Sequence, residues 1–153
     1  MRNIFVLFYV LVLLECRICV TNSKAEEHSS LAFPFKKCTV IIVNALPYEE
    51  WLNLHCASRD DDLGIQMLHP NQSYSFSFRI NFVGSTVFHC GFSWNVKEAD
   101  NSIHTVTHSF PIFTVDRDNN ACKDSTCIWS IRPIGACRNT ASYSVSCFPW
   151  GSQ

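Results

Sequence analysis

The stretch "YSFSFRIN", residues 74–81, decides the fold class. Tyr74, Phe76, Phe78 and Ile80 alternate with Ser75, Ser77, Arg79 and Asn81. A period of two puts every large apolar group on one face of an extended chain and every polar group on the other. A helix would scatter the same residues around its circumference. The stretch therefore predicts a strand with one buried face.

The same period extends in both directions. "CTVIIVN" (38–44) is a β-branched run, and "WLNLHC" (51–56) sets Leu52, Leu54 and Cys56 against Asn53 and His55. "TVFHCGFSW" (86–94) groups Phe88, Cys90, Phe92 and Trp94. "TCIWSI" (126–131) groups Cys127, Trp129 and Ile131, and "YSVSC" (143–147) groups Tyr143, Val145 and Cys147. "VTHSFPIFTV" (106–115) has strand composition, but Pro111 has no N–H for a ladder, which predicts an edge strand or a bulge. Turn chemistry separates the runs at His69-Pro-Asn, Val83-Gly-Ser, Asp116 to Asn120 and Pro133-Ile-Gly. No internal repeat and no amphipathic helix interrupts them. The expectation is an all-β chain, a small disulfide-stapled antiparallel β-sandwich of about 7–9 strands.

The N-terminus has a different character. Arg2 precedes an apolar run from Ile4 to Leu14, followed by small residues at Ser23 and Ala25. That is the layout of a secretory signal peptide over residues 1–25. The run is too short for the ~20 residues that span a bilayer, so no membrane insertion is expected once it is removed. Residues 26–37 read as a loose polar tail, and residues 38–153 as one domain. The mature chain holds nine Lys/Arg against twelve Asp/Glu, a net charge near −3. Its positive charges are scattered, which excludes a basic nucleic-acid footprint or a polybasic membrane patch. A secreted, extracellular monomer is expected.

Seven cysteines remain after Cys16 and Cys19 leave with the signal segment. An oxidising destination makes disulfides the default, and an odd count leaves at least one thiol over. Cys56, Cys90, Cys127 and Cys147 fall in phase with the apolar residues of their strands, as bridges pinning two sheets would. Cys122 lies in a loop and Cys137 just after a turn. Spacing leaves the connectivity open, with a link from Cys56 to the C-terminal strand preferred. Asn71-Gln72-Ser73 is a glycosylation sequon in a turn, which makes Asn71 a candidate glycan site.

Chemistry is sparse. Asp60, Asp61 and Asp62 are contiguous, whereas a calcium loop needs oxygens at alternate positions and a bidentate acid at the twelfth, where this chain has Asn71. A solvated inter-strand turn, with Gly64 supplying an unusual backbone angle, explains them better. His55 and His89 each precede an inward cysteine, so both should face outward and could meet if their strands are neighbours. Such a pair could serve acid/base chemistry of ribonuclease type or bind zinc with a third ligand; no phosphate site and no third ligand accompanies it. "CKDSTC" is too widely spaced for a zinc knuckle. No nucleophile elbow, activated cysteine or phosphate-cradling loop is present. No cofactor, metal or catalytic residue is expected.

Several ordered motifs then combine. "LNLHCASRDDDLGIQ", "LHPNQSYSFSFRINFVGSTVFHCGFSWN" and "FTVDRDNNACKDSTCIWSIRPIGAC", closing in "CFPW", resemble the plant self-incompatibility S-protein family, also called S-protein homologues. The resemblance runs from about Thr39 to Trp150. It implies a small secreted sandwich stapled by disulfides. Founders of the family are stigma-secreted ligands that pollen recognises through a surface receptor, which triggers calcium entry and arrest of self pollen. Many homologues are made outside the stigma. Two departures stand out. Asp116 replaces the aromatic that usually follows the Phe-x-Val of that region, and Cys38 is additional.

The expected function is therefore a non-enzymatic ligand for a plant cell-surface receptor, in self-incompatibility or related cell–cell signalling. A small secreted ribonuclease-like hydrolase and a defence or inhibitor protein are the rivals. Loops carry specificity on a rigid sandwich. The receptor-contact candidates are Arg59, Asp60, Asp61, Asp62, Asn71, Lys97, Glu98, Asp100, Arg117 and Asp118.

Overall fold

In a computed structural model of the chain, residues 36–140, 142 and 144–151 are described. The expected signal peptide, residues 26–35 of the expected tail and Tyr143 lie outside them. The strands are β1 (Lys37–Asn44), β2 (Leu52–Ala57), β3 (Asp62–Leu68), β4 (Ser73–Arg79), β5 (Val87–Lys97), β6 (Ile103–Thr114), β7 (Thr126–Arg132), β8 (Gly135–Asn139) and β9 (Val145–Pro149), with one short helix, α1 (Val115–Asp118), after β6. They form two sheets, ordered β4-β1-β7-β8-β9 and β3-β2-β5-β6. Every pair is antiparallel except β1 and β7, which run parallel. Lys37 belongs to β1, and Lys36 Nζ donates to the Asn119 carbonyl at 3.0 Å.

Alternation becomes burial. Val40 and Ile42 of β1, Leu52 and Leu54 of β2, Phe88 and Phe92 of β5, and Trp129 and Ile131 of β7 are all buried. Fully burying one such side chain contributes about 1.5–3 kcal/mol. Aromatic rings join the layers. Phe78 of one sheet packs on Phe88 and Phe113 of the other at 4.6 and 4.7 Å between centroids, and Trp129 meets Phe110 edge-on at 5.3 Å. Offset and edge contacts of this kind add roughly 0.5–1.5 kcal/mol beyond area burial. Pro111 sits both on an edge strand and at the register shift that begins between Phe88 and His89.

The disulfides take a different part from the one expected of them. Cys56 bonds Cys90, Cys137 bonds Cys147 and Cys122 bonds Cys127. Cys56 and Cys90 face each other on neighbouring strands, as do Cys137 and Cys147, with Cα separations of 4.0 and 3.9 Å. A partner that close outcompetes one across the ~10 Å between packed sheets. No bridge therefore joins Cys56 to the C-terminal strand, and none of the three pins sheet to sheet. Cys38, the odd thiol, is buried at the start of β1, and desolvation raises its pKa.

Three stretches read differently in three dimensions. Cys147 and Val145 face outward, because Ala136 pairs with Phe148 and brings that ring onto Trp129 and Phe110, each at 5.7 Å. β3 starts at Asp62, inside the expected charged turn; Ile65 and Met67 are exposed on this edge strand, which hides its period. β8 occupies what reads as the end of a turn. Gly135 has φ 156°, and a Cβ there would overlap the Phe148 carbonyl oxygen, so only glycine lets β9 approach.

Candidate recognition surface

The strand directions divide the connecting loops between two poles. At one pole lie the β2–β3 turn, the β4–β5 loop and α1; at the other lie the turn before β4, the β5–β6 turn and the chain after β9. The eleven residues of β5 alone separate them by roughly 35 Å of extended chain.

The acidic turn is built by its own side chains. Ser58 Oγ accepts the N–H groups of Asp60 and Asp61 at 3.2 and 3.0 Å, and the Ser58 N–H donates to the Asp61 carbonyl at 2.8 Å. Arg59 Nε donates to Asp60 Oδ1 at 3.1 Å. Asp62 Oδ1 accepts the Gly64 N–H at 2.9 Å and meets His55 Nε2 at 2.5 Å. The Gly64 bond first, then His55, holds the Asp62 carboxyl below its usual pKa. Gly64 has φ 69°, a conformation that favours glycine. The serine, the last aspartate and the glycine of "SRDDDLG" therefore shape the turn, leaving Arg59, Asp60 and Asp61 exposed at its tip. Cys56–Cys90 anchors the strand that leads into it.

Beside this turn opens a cleft of about 780 Å³. It is lined by Ser58 to Asp61 of the turn, Phe76 to Arg79 of β4, and Val87 and Phe88 at the start of β5. Sequence alternation shows Phe76 and Phe78 as core residues; on β4, an edge strand, both are packed against the core but only half-buried.

His55 and His89 do face outward on adjacent strands. They are diagonal rather than opposite: His55 pairs with Gly91, and His89 with Ala57. His55 is tied to Asp62. Among the described residues, no group of three or more His, Cys, Asp or Glu could hold a metal ion.

The other contact candidates separate sharply. Asn71 is exposed at φ 61° in the turn before β4, accessible for a glycan, and its N–H donates to Asn44. Lys97 and Glu98 are exposed at the end of β5; Asp100 caps the β5–β6 turn by accepting from Ser102, and Glu98 lies 3.5 Å from His104. All four sit at the far pole, away from Arg59 to Asp62.

Arg117 and Asp118 are not loop contacts at all. Asp118 is fully buried and takes Arg117 Nη2 at 2.7 Å, Arg138 Nη1, and the Thr114 N–H at 2.8 Å. Arg117 lies over the rings of Phe110, Trp129 and Phe148, and also donates to the Pro111 carbonyl at 2.6 Å. Burial pushes its pKa down to about 10. A charged residue in a loop ordinarily faces water, but here α1 folds it under β6, where Arg138 arrives from β8.

Asn44 escaped the sequence reading. Buried at the end of β1, it donates to the Glu50 and Leu68 carbonyls at 2.8 and 3.0 Å and accepts the Leu46 N–H at 3.1 Å, tying three segments of the far pole together. Its inward phase in "CTVIIVN" was the available signal.

The family model for the plant self-incompatibility protein S1 matches residues 39–150. S-protein homolog 2 of Arabidopsis thaliana is 38% identical over 142 residues, covering 89% of this chain and 81% of the relative. S-protein homolog 3 of the same plant is 34% identical and covers 100% and 98%. A solved structure of SPH (self-incompatibility protein homologue) proteins, described as a widespread family of small, highly stable, secreted proteins from plants, aligns with a TM-score of 0.49 and 16% identity over 76% of this chain and 96% of that one.

Proposed function

The chain belongs to the plant self-incompatibility protein S1 family, and from that premise we propose that it is a secreted, non-enzymatic ligand for a plant cell-surface receptor. The contact surface is the pole carrying Arg59, Asp60 and Asp61. One observation carries this reading. The turn holds its shape through the hydrogen bonds of Ser58, Asp62 and Gly64, while its charged tip faces water beside a cleft. A preformed turn loses little conformational freedom when a partner docks. The role lies in cell–cell signalling, with rejection of self pollen one instance of it.

Cross-linking the protein to plant membranes tests the reading. The wild type should capture a membrane protein, and Asp61→Lys and Arg59→Glu should lose it with unchanged circular dichroism. Equal capture by the variants, or loss only on unfolding, overturns the reading.

The hydrolase reading retains one supporting observation, the shared face of His55 and His89 on adjacent strands. RNA cleavage by the purified protein that vanishes in His55→Ala would establish it in place of the ligand reading.

A further inference from the structure

Four strands end the two sheets, and three of them carry features that obstruct a further strand. β9 holds Pro149, β6 holds Pro111 with its register shift, and β3 begins with a register shift against β2 and the left-handed Gly64. β4 has none. Ser73–Arg79 pairs with β1 in unbroken register over all seven residues, without proline or glycine, and with small serines on its outer face.

The direction of its free groups follows from its ends. The Ile80 N–H donates to Lys36 and the Gln72 carbonyl accepts from Asn44, so the even-numbered residues bond to β1. Alternation turns the N–H and C=O groups of Ser73, Ser75 and Ser77 to the open side. No other strand among the described residues pairs there.

That side borders the cleft, whose volume of about 780 Å³ lies within the ~300–1,000 Å³ typical of ligand sites. Phe76 and Phe78, both half-buried, supply apolar surface. Of the charged side chains around it, Arg59 and Asp60 pair with each other and Arg79 is engaged within the chain. No described residue pairs with the Asp61 carboxylate.

We infer that the cleft receives an extended peptide segment of a protein partner, which adds as a strand to the free edge of β4, seats apolar side chains on Phe76 and Phe78, and brings a lysine or arginine to Asp61. An unpaired strand edge is complementary to another backbone, and the uncompensated carboxylate to a cation. The inference rests on the ligand reading above and names the chemistry of its partner.

The probe is an N-acetylated octapeptide in which phenylalanine or valine alternates with serine and lysines close both ends, offered to the disulfide-bonded protein. It should bind roughly tenfold more tightly than the same peptide ended by glutamates, and Asp61→Lys should reverse that preference. Methylating the peptide nitrogens at one parity of positions should abolish binding, while the other parity leaves it, since only alternate amides of an added strand face β4. The Ser75 and Ser77 amides should gain exchange protection. Indifference to methylation parity, shifts confined to the far pole, or no binding by any of the peptides overturns the inference. So does protection of Ser75 and Ser77 that grows with protein concentration alone, since that marks a second copy on the edge. Ser77→Pro, which removes an outward N–H and leaves the β1 ladder intact, separates the two levels in the membrane experiment. Capture retained by this variant sinks the edge-strand inference alone, whereas no capture by any form sinks the ligand reading.

Discussion

Trp150, just past the last strand, lies flat on His108 of β6, with ring centroids 4.5 Å apart and planes 6° apart. Trp94 flanks the imidazole at 5.3 Å, and the Trp150 indole N–H donates to the Arg132 carbonyl at 3.0 Å. The C-terminal tryptophan thus joins the outer strands of the two sheets at the far pole. Burial among these rings lowers the His108 pKa below its ordinary 6.5.

A depressed histidine pKa means that the folded state favours the neutral ring. Its contribution is complete above the unfolded value and is lost as pH falls through it, from about pH 6.5 downward. His108→Phe keeps the stack and removes the titration. Denaturant midpoints measured from pH 7.5 to 5 should fall more steeply for the wild type than for this variant; parallel curves would show that His108 does not titrate differently on folding.

Removing the buried carboxylate should be costly. Asp118→Ala leaves Arg117 and Arg138 facing each other without the carboxylate that balances their charge, with only backbone carbonyls to accept from them, a loss of about 3–5 kcal/mol for a broken buried pair. Urea unfolding measures it, and a change below ~1 kcal/mol would mean that water reaches the guanidinium groups.

The disulfides should rank by the chain they close. Separations of 34, 10 and 5 residues correspond in the chain-entropy treatment to about 4, 3 and 2 kcal/mol. Paired Cys→Ala variants should therefore lose stability in the order Cys56–Cys90, Cys137–Cys147, Cys122–Cys127. A reversed order would place the effect in the folded state rather than in the unfolded chain.

Cys38 should be inert while the protein is folded. Burial withholds the thiolate, the reactive form. Iodoacetamide should modify it only in denaturant, as read by peptide mass mapping, and labelling of the native protein would contradict its place in the core.

Much of the fold was legible because alternation is local. Each residue of "YSFSFRIN" declares its face by its own chemistry and that of its neighbours two positions away, and the strands with inward Phe88, Phe92 or Trp129 read the same way. The acidic turn was legible at Gly64, whose backbone angle is a local property, but not at Ser58 or at Asp62, a contact candidate whose carboxylate instead accepts the Gly64 N–H and meets His55. β3 and β8 were hidden where an edge strand exposes Ile65 and Met67 and where a buried cation, Arg138, breaks the pattern.

By itself the sequence determined that this is an all-β chain with one apolar face per strand, an odd thiol and a charged turn after Cys56. Only the tertiary structure decided which cysteines meet, that Asp118 is buried with the half-buried Arg117 folded onto it, and that the charged turns lie at opposite poles. The physical reason is range. Facing and turn geometry are set by residues a few positions apart, whereas Cys56 with Cys90 and Asp118 with Arg138 are joined across 34 and 20 residues by strand register. The outer edge of β4, unpaired among the described strands, belongs to the same class, because an edge exists only once every other strand has taken its place.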